Sequence, residues 1–289
     1  MAKVRIETTS GLRKLLKSEI PKFVRVLEQR RGNVQDVVTY NEVFNMLSTR
    51  ELSANMLLAI QQEYAEKLSN DLEKLYSKVI RQSEMFLEGY LATTFSDKRD
   101  VLLAKYVLTR GATLVQKIST EQRTALQNVL YHFVVEEPKS YNELATYIRA
   151  CVGLTPKQME AVKRYGVEMA KELTGDKLEK AIQQYAQKLH EWRAETIART
   201  EIAYTYEDAT NRLIDEGLAK LGGDKKASLK RWLTAPDEMV CEICGAMDGK
   251  TVSFDGLFEL PTGEEVEGPP AHPNCRCTLL YELAFEEVR

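Results

Sequence analysis

Glycine and proline are scarce, at 15 and 8 of 289 residues, about 8% against the roughly 12% of an average protein. That deficit excludes a collagen-like or proline-rich chain and favours long helices. Charge of one sign is missing too: 40 lysines and arginines face 43 aspartates and glutamates, for a formal net charge of −3. A chain without a positive excess has no global attraction to a polyanion, which disfavours a dedicated DNA-coating role. No stretch reaches about 18 uncharged apolar residues, and Met1-Ala2-Lys3-Val4-Arg5-Ile6-Glu7 opens no apolar run leading to a small-residue cleavage site. The expectation is a soluble protein made in the cytosol, with no membrane segment. Gly-x4-Gly-Lys-Ser/Thr and Gly-x-Gly-x2-Gly are absent, so nucleotide binding has no local support, and no Gly-x-Ser-x-Gly points to a serine nucleophile.

What is present is lopsided. The overall composition, 44% hydrophobic and 29% charged, is that of a globular protein large enough for about two domains. Ten of the glycines and prolines, however, lie between Pro236 and Pro273, and residues 228–289 carry 5 basic and 12 acidic side chains, leaving residues 1–227 at a net +4. The predicted fold is mainly α, with long amphipathic helices in the body and a small C-terminal β or α+β module of zinc-ribbon type. Its boundaries are drawn at 1–139 for an N-terminal helical domain, 140–227 for a helical core and 228–289 for the small module.

The helical signal is periodic. Leu57, Ile60, Tyr64, Leu68, Leu72, Leu75 and Val79 recur at spacings of three and four inside the proline-free segment 49–93, which predicts one long amphipathic helix. Capping boxes at Ser119/Gln122, Ser140/Glu143 and Thr155/Gln158 predict helix starts, the last with Pro156 at the first helical position, where its missing N–H costs nothing. A second long helix is expected from Asp176 to Gly217, with Leu178, Ile182, Tyr185, Leu189 and Trp192 on one stripe. Gly222-Gly223-Asp224-Lys225-Lys226 reads as a linker. Beyond it, 228–234, 250–254 and 277–283 are short and rich in strand formers, Asp248-Gly249 supplies a tight turn, and the acidic stretch 263–267 reads as a solvent-facing loop.

Chemistry concentrates at the C-terminal end. Four of five cysteines, Cys241, Cys244, Cys275 and Cys277, fall with His272 inside 37 residues. Cys-x2-Cys lets two thiolates meet one ion from a tight turn, and His272-x2-Cys275 can complete a tetrahedral nitrogen/sulfur site of the kind that suits zinc. A module of about 60 residues with few large apolar side chains also needs such a staple. A disulfide or redox pair and plain reduced cysteines are the alternatives, and five donors compete for four places, so Cys275 or Cys277 is a candidate for a supporting position. Glu242 and Asp248 can be nominated as general bases of a catalytic metal but read better as acidic surface residues. His132 and His190 read as packed or capping histidines, and Cys151 as a small buried apolar residue. Glu195 precedes Arg199 by four residues, the spacing of a surface ion pair.

Several of these segments together carry a resemblance. Gly153-Leu154-Thr155-Pro156-Lys157-Gln158, Ile197-Ala198-Arg199-Thr200-Glu201-Ile202, Trp232 to Asp237, Cys241-x2-Cys244, Asp248-Gly249 and His272-Pro273-Asn274-Cys275-Arg276-Cys277 stand in that order over about residues 140–283. This ordered set resembles the phage head morphogenesis family, the minor head proteins similar to protein F of phage Mu. The 27-residue gap holding the acidic loop is a departure in length that leaves the ligand spacings undisturbed. The resemblance implies a minor component of a tailed-phage or prophage head, inside the virion near the portal after assembly in the host cytoplasm, and it implies no established enzymatic activity, so the expectation is a protein that is not an enzyme. Its implied partners are the portal protein, the major capsid or scaffolding protein, and packaged double-stranded DNA.

Three functions follow as expectations. The first is a structural protein whose zinc-bound module is a rigid knob, with Arg199 and Glu201 fixing how the long helix meets it and Trp232 and Asp237 serving the same contacts. The second is a DNA-binding ejection factor, in which Lys14, Lys17, Lys22, Arg25, Arg30 and Arg31 track DNA, although a solvated helix face explains that cluster equally well. The third is a zinc-supported nuclease or a transferase.

Overall fold

The computed structural model of the protein describes residues 2–131 and 141–285, and 68% of these are helical. In chain order the elements are β1 (Ala2–Glu7), α1 (Thr9–Gln35), α2 (Tyr40–Thr49), α3 (Ala54–Ile60), α4 (Leu68–Leu91), α5 (Ser96–Tyr106), α6 (Ala112–Tyr131), α7 (Tyr141–Cys151), α8 (Pro156–Met169), α9 (Gly175–Leu221), β2 (Gly223–Leu233), α10 (Glu242–Gly245), β3 (Thr251–Ser253), β4 (Phe258–Glu259), β5 (Glu265–Val266) and β6 (Thr278–Phe285). Two π-helical segments, Gln61–Lys67 and Val107–Gly111, join α3 to α4 and α5 to α6. No described helix is long and apolar enough to cross a membrane.

The chain divides into two compact units built from discontinuous stretches, one of Met1–Lys22, Glu73–Val107 and Thr196–Arg289, the other of Phe23–Leu72 and Leu108–Glu195. The second unit is all helix. Its core is the apolar periodicity of the sequence turned inward: Phe23, Leu27, Met56, Ile60, Tyr64, Leu68, Ile118, Leu126, Ile148, Leu154, Val162 and Ile182 are all buried. The helix expected over 49–93 runs from Ala54 to Leu91 without a break, with the π-helical turn inside it. Buried Glu63, within that turn, is held by Arg30 at 3.1 Å and Asn33 at 3.0 Å and also pairs with Lys67, while Arg30 reaches Asp71 at 2.8 Å. Thr155 and Gln158 form the full capping box that opens α8, with Pro156 in the first turn. His190 is buried with Nε2 2.9 Å from the Ala150 carbonyl oxygen, and burial pushes its pKa down to about 3, so it packs as a neutral ring. Cys151 is fully buried, as a small apolar residue would be.

One capping expectation fails. Ser119 and Gln122 lie inside α6, which runs from Ala112 without a break because no glycine or proline interrupts its helix-forming residues. The Gln122 side chain instead accepts the Gly153 backbone N–H, and the Ser119 hydroxyl is buried with no partner. The box at Ser140/Glu143 lies outside the described residues, as does His132.

The first unit holds a four-stranded antiparallel sheet, ordered β1-β6-β2-β3, from which the Tyr281 hydroxyl of β6 reaches Asn211 Oδ1 of α9 at 3.5 Å. The N-terminal strand β1 pairs with β6 from Ala2↔Phe285 to Glu7↔Leu280, a strand the sequence did not announce. Its charged residues Lys3, Arg5 and Glu7 are exposed and Ile6 is buried, the alternation expected of an edge strand. β6 is buried along nearly its whole length, so both faces of this strand are covered, whereas β2, also paired on both sides, alternates. The glycine- and lysine-rich segment 222–226 is not a linker: β2 starts at Gly223 and pairs with β6 through an irregularity between Asp224 and Leu229. α9 does not stop at Gly217. A Cβ there would come within 2.8 Å of the Leu91 side chain, so this glycine serves a close approach, and the helix ends before Gly222, whose φ is +68°. The acidic stretch 263–267 faces solvent as expected but supplies the end of the turn and the second strand of a small hairpin, β4 against β5. Glu267 is fixed by Arg212 at 2.9 Å, and its carbonyl accepts from the buried Lys230 ammonium at 3.0 Å.

Candidate metal centre

Between β2 and β3 the chain makes a short turn around the first cysteine pair. Cys241 is extended, at φ −73° and ψ 162°, and its Sγ lies 3.5 Å from the Cys244 backbone nitrogen, which donates to it. The single-turn helix α10 thereby places Cys241 and Cys244 on one side. Asp248 Oδ1 accepts both the backbone N–H and the hydroxyl of Thr234, at 2.9 and 3.0 Å, which fixes this side chain at the turn. Gly249, at φ +74°, donates its N–H to the Trp232 carbonyl at 2.9 Å and closes this segment onto β2.

The second pair comes from the loop before β6. Asn274 takes φ +64°, a left-handed conformation that asparagine tolerates, and Cys275 N–H returns to the His272 carbonyl at 3.2 Å. This reversal brings His272 Nε2 to 3.2 Å from Cys241 Sγ and 3.1 Å from Cys244 Sγ, and Cys275 Sγ to 3.7 Å from Cys244 Sγ. His272 Nδ1 lies 2.8 Å from the Pro273 carbonyl, the kind of contact that fixes the tautomer of a metal-binding imidazole. All five expected donors therefore converge as two triads sharing Cys244: Cys241, Cys244 and His272, and Cys244, Cys275 and Cys277, either able to hold a metal ion. No disulfide joins them.

Electrostatics favour a cation here. The Cys277 thiol, hydrogen-bonded to Cys275, holds that cysteine well below the usual thiol range, to about 5, against its burial. Burial pushes Cys244 up to about 12, with the neighbouring Cys275 adding to it, and Cys277 is raised by its hydrogen bond to Cys275 and by burial. Several sulfurs this close cannot all ionise against one another, but a cation among them favours every thiolate at once. Trp232 is fully buried, its ring edge-on to Phe258 at a centroid distance of 5.3 Å. Its indole N–H faces neighbouring Cys277 and favours the anionic form of that thiol.

Supporting contacts tie the two halves together. Arg276, between Cys275 and Cys277, makes a two-pronged contact to Asp237 at 2.5 and 2.7 Å, and Asp237 also accepts the Met239 N–H at 3.0 Å. Along α9, Glu201 is buried and accepts from the Tyr76 hydroxyl at 2.9 Å. Arg199 is half-buried, its Nε has no hydrogen-bond partner, and it forms no ion pair among the described residues, so the expected bridge to Glu195 is not made. Between them Thr200 accepts the Asn274 N–H at 2.9 Å. Thr200 stood inside the Arg-Thr-Glu motif, but only its occurrence in mid-helix, where threonine is a middling helix former, hinted at a separate use. Nearby, Thr8 Oγ1 lies 2.8 Å from buried Glu207, whose other oxygen is unpartnered and whose burial pushes its pKa up to about 8.

A helical body that ends in a short-stranded module with convergent cysteines and a histidine defines the class: a protein with a candidate metal-held module. Residues 168–280 match the family model described as Phage Mu protein F like protein, a likeness that agrees with the resemblance carried by the motifs. The match takes in Arg199-Thr200-Glu201 and both pairs of candidate ligands, whereas the Thr155 segment lies before it. No curated protein and no solved structure matches the chain.

Proposed function

We propose that this chain is a non-enzymatic minor head protein of a tailed phage or prophage, working at the portal vertex in head assembly and in DNA packaging or ejection, with structural zinc closing its cysteine/histidine cluster. The observation that carries this reading is the family match over 168–280 coinciding with the convergence of Cys241, Cys244, His272, Cys275 and Cys277. Zinc suits the donor set: with zinc–sulfur bonds of about 2.3 Å and zinc–nitrogen bonds of about 2.0–2.1 Å, tetrahedral edges are roughly 3.6–3.8 Å. The 3.7 Å between Cys244 and Cys275 equals such an edge, and the sulfur–nitrogen separations of 3.1 and 3.2 Å lie within a few tenths of an ångström of one. When bound, zinc supplies a fixed crosslink. The chain supplies the rest, with Cys241 and Cys244 held by α10, His272 by its own turn, and the Arg276–Asp237 fork bracing the cysteine-rich strand start.

In this reading the portal protein is the principal partner, with the major capsid or scaffolding protein as a further contact. Arg199 is the residue kept for a partner carboxylate, since its Nε is buried without a hydrogen-bond partner and it forms no ion pair among the described residues. Glu201, Trp232 and Asp237 serve the same contacts from inside, by fixing α9 and the module. DNA tracking by residues 14–31 finds less support, because Lys22, Arg30 and Arg31 are each paired with acidic side chains. Co-expression with the portal protein of the same phage tests the reading: the account expects one co-eluting complex and the chain in purified heads. Separate elution together with heads that lack the chain would contradict it.

A further inference from the structure

We propose that Thr200 is the positioning residue through which α9 sets the cysteine/histidine loop for metal. The inference rests on the zinc reading above and adds a residue outside the donor set. Thr200 Oγ1 donates its single proton to the Thr196 carbonyl at 2.6 Å, one turn back along the helix. With the proton committed, the hydroxyl's lone pairs face outward, and one accepts the Asn274 N–H at 2.9 Å. Asn274 is the residue at φ +64° that reverses the chain between His272 and Cys275. The hydrogen bond therefore fixes the peptide whose orientation sends His272 Nε2 and Cys275 Sγ to the same sulfur, Cys244, at 3.1 and 3.7 Å.

The bond spans 74 residues of sequence and links the two family motifs, Arg199-Thr200-Glu201 and His272-Pro273-Asn274-Cys275-Arg276-Cys277. Because the Asn274 amide is exposed, water can replace the bond when it is lost, so a purely structural contact would leave both stability and metal binding nearly unchanged. A contact that sets ligand geometry should act on the metal instead, and supporting partners of metal ligands typically contribute about 10–100-fold in affinity. Serine keeps the hydroxyl, whereas valine keeps the shape and removes it.

The test uses the full chain with zinc, titrated against a chromophoric chelator, and with cobalt, read by the thiolate-to-cobalt absorption. Thr200→Val should weaken zinc about tenfold and shift or weaken the cobalt band at unchanged helical content, and Thr200→Ser should restore both. Equal zinc affinity and identical cobalt spectra in wild type and Thr200→Val would overturn the positioning role. Hydrogen exchange at the Asn274 amide of the zinc-loaded wild type needs no variant: protection is expected, and exchange at the rate of a free amide would overturn the proposal even if Thr200→Val does not fold. A wild-type chain that takes up neither zinc nor cobalt would overturn the metal reading itself, a failure distinguishable from that of Thr200.

Discussion

The helical unit of Phe23–Leu72 and Leu108–Glu195 and the region around the Cys/His cluster hold themselves together by different means. The first buries apolar stripes along helices of up to five or six turns and satisfies its few buried charges internally, as Arg30 does with Glu63 and Asp71. The second has strands of two, two and three residues in β4, β5 and β3 and relies on β6, the buried Trp232 and a knot of sulfur and imidazole. Segments too short to bury much surface need a crosslink, whereas long amphipathic helices do not. Changes to the donor set should therefore act locally and strongly, and changes in the helical unit should act through burial and charge.

The largest expected effect is at Cys244, the donor common to both triads. Structural zinc in small peptides contributes about 10–16 kcal/mol of apparent binding energy, so Cys244→Ser, or a strong chelator, should abolish metal binding and raise hydrogen exchange throughout 234–277. Exchange in α6, α7 and α8 should stay as in the wild type. Equal loosening of both regions would break the comparison.

Next is Arg30→Met, which leaves Glu63 and Asp71 without their shared cation in a nearly dry site. Removing one partner from a buried pair costs about 3–5 kcal/mol, to be read from denaturant unfolding, with zinc content unaffected. A loss below about 1 kcal/mol would mean that water already screens the network.

His190 sharpens the comparison through pH. Its folded pKa, about 3, lies below the ordinary value near 6.5, so the unfolded chain binds the proton more readily. The contribution of neutral His190 is complete above pH 6.5 and is lost as pH falls from there toward 3. The slope approaches about 1.4 kcal/mol per pH unit between those values, and His190→Gln should flatten the stability curve by that amount. An unchanged curve in the variant would place the acid sensitivity elsewhere.

The smallest effect is expected at the exposed fork between Arg276 and Asp237, where Asp237→Asn should leave stability close to that of the wild type. Chemical denaturation measures it, and a large shift of the unfolding midpoint would make the fork a main support of the metal loop.

Legibility followed the range of the interactions. The long helices were readable because their period repeats over many turns, and the Thr155 box because Pro156 marks the helix start. Ser119 and Gln122 carry the same letters as a cap but sit among uninterrupted helix formers, so the backbone N–H groups they would serve are already paired in α6. Gly217 looked like a helix end, yet what demands glycine is Leu91 across from it. β1 escaped because its partner β6 lies about 280 residues away and six alternating residues are a weak signal. The metal candidates were readable from spacing alone, since each x2 pair is local. Which helix residue meets the loop was not, because Thr200 and Asn274 are brought together only by the fold.

The central claim is a metal-closed cluster, and metal content tests it most directly. Protein purified without chelator and analysed by inductively coupled plasma mass spectrometry should carry about one zinc per chain, lost in Cys244→Ser. A wild-type chain without metal, with its four C-terminal cysteines titrating as free thiols or found as disulfides, would contradict the account.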